Sequence, residues 1–310
     1  MTTSMRLQVI LLTAFLAVFC ASSFAIAPNG CAQGSGEYQR TLPDGSKVDF
    51  GPVTGGSTPA QCRGAVTAAD GTTIFEITAP EVFLNEITGT DVNADGKPDV
   101  VIESHRAHGQ CCFTYSVVTP GLTQALVKEF TTSVQMNFEE RDGTVQITGH
   151  DKAFVGFDGL PDEFSPAPLT IFRLRGSSIY YVGQAYWHDY EIDLNEARNS
   201  IPRSRLDKFK NGANSGGGVN GQQKQDALEG RELYATKGAV LQVVLDYLYG
   251  GKGQEAWKTL QEMWPYPDYI RVRQLILQAR SHGLMGEVNR QPAKSQQQAG
   301  VETQPKPTQQ

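Results

Sequence analysis

The sequence predicts a mainly β protein, with antiparallel sheets arranged as a sandwich or as stacked blades, followed by a C-terminal α-helical segment. Short runs of β-branched and aromatic residues recur between residues 72 and 182, and turn residues separate them. The 32 glycines and 16 prolines agree with many turns. Many short strands at such spacing are typical of antiparallel sheets. Apolar residues at helical spacing after residue 226 predict the helices.

Residues 1–25 predict a secretory signal peptide. Arg6 precedes an apolar run over residues 7–19, and small residues lead to Ala25, where we expect cleavage. The run is too short for a comfortable membrane span. A lipid anchor at Cys20 is the alternative, but the bulky Phe19 before it argues against the usual attachment motif. The mature protein is therefore expected to be secreted or periplasmic, with no transmembrane span after cleavage.

Residues 28–190 form the expected β-rich domain. Its beginning, to about residue 65, is rich in Gly, Ser, Pro and Thr, which predicts an irregular lead-in with one hairpin around Asp44-Gly45. The later strands are expected at residues 72–78, 82–88, 99–104, 113–118, 126–130, 134–138, 144–148, 169–174 and 179–182. Turns at residues 141–143 and 175–177 predict two hairpins within this region.

The remainder of the chain is expected to be helical and then disordered. Residues 191–224 begin with helical character and continue into a Gly-rich linker. Residues 225–285 predict a helical segment, with breaks at Gly250-Gly251 and Pro265. Residues 286–310 are polar and rich in Gln and Pro, which is typical of a disordered tail.

Four cysteines remain after the signal peptide is removed: Cys31, Cys62, Cys111 and Cys112. An even number in an oxidising compartment predicts two disulfide bonds, with three possible pairings. The adjacent Cys111 and Cys112 could join each other. We expect them instead to reach Cys31 and Cys62, because ordinary disulfide geometry is easier to satisfy between separate segments.

The most specific chemical pattern is the loop of residues 91–99. Oxygen-bearing side chains alternate along it, and Gly96 permits a sharp bend. The expected ligands of a calcium ion are Asp91, Asn93, Asp95, Asp99 and the backbone carbonyl of Lys97. An EF-hand would need an acid at the twelfth position, where Ile102 stands, so a structural calcium loop between β-strands fits better. The alternative is an acidic turn that binds no metal tightly.

This loop and the strand after it resemble the Asp-x-Asn-x-Asp-Gly-x-x-Asp loops of FG-GAP and VCBS repeat proteins. The segment from His108 to Tyr115 is similar to a group of uncharacterised secreted bacterial proteins in which a His-Cys-Cys stretch precedes aromatic residues. The resemblance covers about residues 88–182 and implies an extracytoplasmic, calcium-stabilised β protein. A propeller would need several such loops, and this chain has one clear copy.

Several other residues carry groups that could bind zinc, catalyse hydrolysis or bind a ligand. His105 and His108 with the adjacent cysteines carry zinc-binding atoms, but their spacing fits no familiar zinc pattern. A hydrolase would draw on a set of histidines and acids: His150, Asp151, His188, Asp189, Asp158, Asp162 and Glu163. No Gly-x-Ser-x-Gly, His-Glu-x-x-His or Gly-rich phosphate loop is present in the sequence. The aromatic residues 180–190 could form a binding face, but we expect them to cover the β core.

We therefore expect a non-enzymatic binding or envelope-associated protein, with a secreted hydrolase acting on envelope polymers as the alternative. A cleft holding His150 or His188 beside a carboxylate and a nucleophile would favour the hydrolase, whereas scattered histidines would favour binding. The net charge of -6 and the lack of a basic cluster argue against nucleic acid. The partner is unknown, and a cell-envelope component or an extracellular protein is the expected class.

Overall fold

A computed structural model describes residues 29–55, 60–106, 111–122, 125–211 and 224–290. The predicted signal peptide, His108 and most of the Gly-rich linker lie outside these residues. The described chain is mainly β, with thirteen strands in three antiparallel sheets, and helices follow towards the C-terminus. The predicted fold class is therefore confirmed.

The strands form three sheets whose members are mostly neighbours in sequence. Sheet 1 has the order β2 (Tyr38–Thr41), β3 (Lys47–Pro52), β4 (Cys62–Thr67) and β5 (Thr73–Ala79). Sheet 2 has the order β1 (Gly30–Ala32), β6 (Glu81–Leu84), β7 (Val100–His105), β8 (Phe113–Val118) and β9 (Leu126–Thr132). Sheet 3 has the order β10 (Asn137–Arg141), β11 (Thr144–His150), β12 (Leu169–Arg175) and β13 (Ser178–Tyr181).

The helices follow sheet 3 in sequence. They are α1 (Trp187–Asn199), α2 (Arg203–Lys210), α3 (Lys224–Tyr249), α4 (Gly253–Met263), α5 (Tyr269–His282) and α6 (Leu284–Glu287). As predicted, α3 ends before Gly250-Gly251 and α4 ends before Pro265. The disordered tail was predicted to begin at residue 286, which is too early, because Val288 is buried against sheets 2 and 3. Residues 291–310 lie outside the described part.

Sheet 2 is buried on both faces. Val100 and Ile102 of β7 pack in one apolar cluster with sheet 1, whereas Val101 packs in a second cluster with sheet 3. Strands covered on both sides read as continuous apolar runs. This burial explains why Val100-Val101-Ile102 lacks the alternation of a half-exposed strand.

A third cluster joins the other face of sheet 3 to the helices. Ile171 of β12 packs there against α3, whereas its neighbour Phe172 faces sheet 2. Successive strand residues point to opposite faces, so β12 serves two cores. Tyr181 and Trp187 pack against the helical cluster, which supports the expectation that these aromatic residues cover the core.

The N-terminal lead-in is more regular than the sequence suggested. It contributes β2, β3 and β4, which are three of the four strands of sheet 1. The predicted hairpin at Asp44-Gly45 joins β2 to β3, and the predicted Asp142-Gly143 turn joins β10 to β11. Both residues of that second turn have positive φ, at 56° and 70°, as a tight hairpin requires.

The expected disulfide pairing is wrong. Cys31 on β1 is bonded to Cys62 on β4, which ties sheet 2 to sheet 1, and Cys111 is bonded to Cys112. Strands β6 and β7 lie between β1 and β8, so at about 4.8 Å per strand Cys31 is about 14 Å from the start of β8. Disulfide-bonded Cα atoms lie within about 7 Å, and the Cα atoms of Cys31 and Cys62 are 5.8 Å apart, so Cys31 pairs with its near neighbour on sheet 1.

Candidate metal centre and a polar cleft

The loop of residues 91–99 connects β6 to β7 and is closed at its base by backbone hydrogen bonds. The Asp99 amide donates to the Thr90 carbonyl at 2.8 Å, and the Gly89 amide donates to the Asp99 carbonyl at 2.8 Å. Gly96 has a φ of 86°, which confirms the predicted sharp bend. The loop leads directly into the buried β7.

Asp99 is the buried anchor of the loop, with 0% of its surface exposed. Its carboxylate accepts hydrogen bonds from the Val92 amide at 2.8 Å, the Asn93 amide at 3.2 Å and the Thr119 hydroxyl. Burial raises the pKa of Asp99 to about 6, although these three hydrogen bonds act in the opposite direction. The Asp99 carboxylate therefore stabilises the fold of the loop through its own hydrogen bonds, without a cation.

Asp91 and Asp95 shape the exposed part of the loop. The Asp91 carboxylate accepts from the amides of Asp95 at 3.1 Å and Gly96 at 2.8 Å. The Asp95 carboxylate accepts from the Lys97 amide at 2.9 Å. These local bonds are the reason that Asp is favoured in tight turns, and they fold the chain around its own carboxylates.

The Asn93 amide lies between the buried carboxylate of Asp99 and the exposed carboxylate of Asp95. Its Nδ2 is 3.4 Å from Asp95 Oδ2, 3.3 Å from Asp99 Oδ1 and 3.0 Å from Thr119 Oγ1. The side chain is only 1% exposed, and its Oδ1 has no hydrogen-bond partner within the described part of the chain. A buried polar atom without a partner is costly and calls for an explanation such as an ion or a water molecule.

The residues present fit a hard cation in chemistry. Asn93 contacts both Asp95 and Asp99 through its Nδ2, and the Asp91 carboxylate accepts a hydrogen bond from the Asp95 amide. The side chains of all four residues carry oxygen atoms of the kind that calcium prefers. In the described ranges, no three His, Cys, Asp or Glu side chains group closely enough to hold a metal ion by themselves. An ion site here would therefore also draw on the Asn93 side chain or on a backbone carbonyl such as that of Lys97.

A second feature, which is not among the sites predicted above, is a cleft of about 490 Å³ beside sheet 2. Its polar lining residues are Asn29, Asn85, Glu86, Glu103, Gln135 and Asn137. Its apolar lining residues are Leu84, Met136 and Phe138. These residues come from four separate parts of the chain, and a volume in this range is typical of small-molecule sites.

Glu103 reaches this cleft from β7 and belongs to a buried charged group. The Nε2 of His105 lies 2.5 Å from Glu103 Oε1, and its Nδ1 lies 3.4 Å from Glu81 Oε2. Gln135 also donates to Glu103 Oε1 at 3.1 Å. Burial of the ring opposes protonation, but hydrogen bonds and charge attraction from Glu103 and Glu81 outweigh it and raise the pKa of His105.

Aromatic rings fix this group in place. The His105 ring lies 4.7 Å from the Phe113 ring and 5.4 Å from the Phe83 ring, measured between centroids. Tyr115 accepts a hydrogen bond from the Met136 amide at 2.7 Å, which holds the segment before β10 against sheet 2. The local sign of this site in the sequence is the polar second half of β7, Glu103-Ser104-His105, which follows the apolar Val100-Val101-Ile102.

The histidines considered for a hydrolase do not form a catalytic group. The Nδ1 of His150 lies 2.9 Å from a backbone carbonyl, that of Ala167. His188 has a side chain that is 79% exposed, and its nearest carboxylate oxygen, on Glu191, is 3.7 Å away. Neither residue lines the cleft.

The acids considered with these histidines have structural partners. Asp151 caps a short 3₁₀ turn and accepts a hydrogen bond from Tyr249, and Asp189 pairs with Arg141. Asp158 pairs with Lys237 and Arg271. Glu163 lies near Arg231 at 3.5 Å, and Asp162 begins a short 3₁₀ turn. These contacts account for the acids as parts of the fold.

The zinc alternative loses its thiolate ligands, because Cys111 and Cys112 are bonded to each other.

Comparison with known proteins brings no match: no family model, no curated protein and no solved structure matches the chain. Within the described ranges, every helix is too short or too polar to span a membrane.

Proposed function

We propose that this chain is a secreted or periplasmic, non-enzymatic binding protein whose β region is stabilised by a calcium ion at the Asp91 loop. The observation that carries the calcium proposal is the buried Asn93 amide, whose Nδ2 contacts the carboxylates of Asp95 and Asp99 and whose Oδ1 lacks a partner. With the amide turned so that Oδ1 replaces Nδ2, a cation would bind that oxygen and relieve the repulsion between Asp95 and Asp99.

In this proposal calcium acts as a structural cofactor. The side chains of Asp91, Asn93, Asp95 and Asp99 and the carbonyl of Lys97 would hold it. The ion would supply positive charge and additional bonds across the loop, without taking part in a reaction. The FG-GAP and VCBS resemblance supports the same role for the loop.

A binding role is preferred to hydrolysis because of where the histidines lie. His150 and His188 are scattered on the surface, whereas the polar cleft contains amides and carboxylates. The placement outside the cytoplasm is supported by the apolar N-terminal run and by the disulfide between Cys31 and Cys62. A component of the cell envelope or an extracellular protein remains the proposed class of partner.

The proposal is tested by thermal melting of the mature protein with a chelator and with added calcium. A ligand at 100 times its Kd stabilises the folded state by about 2.7 kcal/mol, so calcium should raise the melting temperature clearly. Asp95→Asn should reduce this rise because it removes an exposed ligand charge. Asp142→Asn, an equally exposed change in a turn outside the loop, should retain the full rise.

An identical melting temperature with chelator and with excess calcium would contradict the calcium proposal. Release of reducing ends from envelope polysaccharides by the purified protein would instead support the hydrolase alternative. That activity should be absent from a mock preparation and should survive further purification if it belongs to this chain.

A further inference from the structure

We propose that the cleft beside Glu103 binds a small, hydroxyl-rich ligand that carries one ammonium group, such as an amino sugar. This inference rests on the proposed binding function and names the chemistry of the ligand. It is carried by the charge, the hydrogen-bonding groups and the shape of the cleft.

The charge of the cleft favours a cation. Two carboxylates, those of Glu86 and Glu103, line it, and none of its lining residues is Lys or Arg. Behind Glu103 lies His105, which also contacts Glu81. Even with His105 protonated, Glu86, Glu103 and His105 together keep one net negative charge, so the cleft repels anions and attracts a cation.

The Glu103 carboxylate is positioned in advance. It is 6% exposed, and both His105 and Gln135 hold its Oε1. Phe83 and Phe113 in turn hold the His105 ring. A carboxylate fixed in a partly desolvated setting loses little freedom on binding, and its attraction to an ammonium group is stronger than in open water.

The remaining polar groups suit hydroxyls. Asn29, Gln135 and Asn137 line the cleft as exposed amides, and each can both donate and accept hydrogen bonds. A sugar ring has the same mixed character around its edge. The nearly buried side chains of Leu84, Met136 and Phe138 form the apolar part of the lining.

The test uses three sugars that share one ring and differ in charge: glucosamine, N-acetylglucosamine and glucuronate. Each is titrated by calorimetry into the calcium-loaded, disulfide-intact protein at mildly acidic pH, where the free amine is protonated. Glucosamine should bind about tenfold more tightly than N-acetylglucosamine. Glucuronate should show no binding, because its charge has the same sign as that of the cleft.

Variants locate the site. Glu103→Gln should weaken glucosamine binding about tenfold because it removes the buried charge. Glu86→Gln changes an exposed residue at the same cleft, should fold normally and should weaken binding by a smaller factor. Glu37→Gln, an exposed glutamate that does not line the cleft, should leave binding unchanged.

Equal binding of glucosamine and N-acetylglucosamine, binding of glucuronate, or no binding of any sugar would each overturn the proposed ligand class. So would glucosamine binding that both Glu103→Gln and Glu86→Gln leave intact. The calcium melting experiment is independent of these results. A calcium-dependent melt without sugar binding would leave the calcium proposal standing and overturn this inference alone.

Discussion

The backbone amide of Gly176 donates a hydrogen bond of 2.8 Å to the carbonyl oxygen of Asn93. This bond joins the Asp91 loop, which leads into sheet 2, to the turn between β12 and β13 in sheet 3. Asn93 therefore has two roles. Its side chain stands among the carboxylates of the loop, and its backbone holds a neighbouring sheet.

The first prediction concerns this bond. Calcium bound by the loop should reduce local opening, so the Gly176 amide should exchange with solvent more slowly in calcium than in chelator. The Gly71 amide, which donates to the Ala68 carbonyl in a turn of sheet 1, is the control and should not respond. Hydrogen exchange followed by NMR measures both. Equal protection of the Gly176 amide in calcium and in chelator would show that calcium binding in the loop does not stabilise this turn.

Two loop aspartates should differ in their effect on the metal-free protein. Asp99→Ala removes four buried hydrogen bonds, so we expect it to lower the free energy of unfolding by about 2–4 kcal/mol even in chelator. Asp95→Ala changes an exposed residue and should cost much less in chelator. Urea unfolding in chelator compares them, and equal losses would argue against Asp99 as the anchor.

His105 should make stability depend on pH. Its folded pKa is raised, so its contribution is fully present below the unfolded pKa near 6.5 and is lost as pH rises through the higher folded pKa. The stability gap between the wild type and His105→Gln should therefore shrink from mildly acidic to mildly alkaline pH. His188→Gln, which changes an exposed side chain, is the control, and its effect on stability should be small. A gap that widens with pH would show that Glu103 and Glu81 do not favour the protonated ring.

Removal of the two disulfides should have unequal effects. The Cys31–Cys62 bond spans 31 residues, so the paired change of both cysteines to Ala should cost about 3–4 kcal/mol of unfolding free energy. The Cys111–Cys112 bond spans one residue, closes almost no loop, and should contribute far less. Denaturant unfolding of the two double variants tests this. Mass mapping without reductant should find no free thiol in the mature wild type.

Asp246 on α3 predicts the opposite pH trend. It is 1% exposed, and burial raises its pKa to about 8. Ionisation therefore destabilises the fold, with no penalty below the unfolded pKa near 3.9 and the full penalty above about pH 8. Asp246→Asn should raise the melting temperature, and the gain should increase with pH up to that point. Asp207→Asn, on the exposed surface of α2, is the control and should change little.

The sequence predicted the strands of the centre of the molecule well, because their apolar runs are long and bounded by turns. It failed where apolar residues are buried outside a strand. Val134 and Met136 are buried, yet β10 begins only at Asn137, so the strand predicted at residues 134–138 is displaced. For β2 it predicted the hairpin turn that follows but no strand bounds, because the residues of β2 are mostly exposed and give no pattern.

The two candidate sites also differ in how far the sequence could predict them. The Asp91 loop is a local pattern, so its residues could be named from the sequence. The cleft is assembled from residues near 29, 85, 103 and 136, and the disulfide pairing depends on the order of strands in sheet 2. Such arrangements depend on long-range packing, which local periodicity does not contain.

The short strand β1 protects the edge of sheet 2. It covers β6 through the pairs Gly30–Phe83, Cys31–Val82 and Ala32–Glu81, and the bond from Cys31 to Cys62 keeps it there. An uncovered strand edge is a template for pairing between molecules. Reduction of this one bond would therefore free β1 and leave the backbone of β6 open to self-association, so the bond guards the protein against aggregation as well as unfolding.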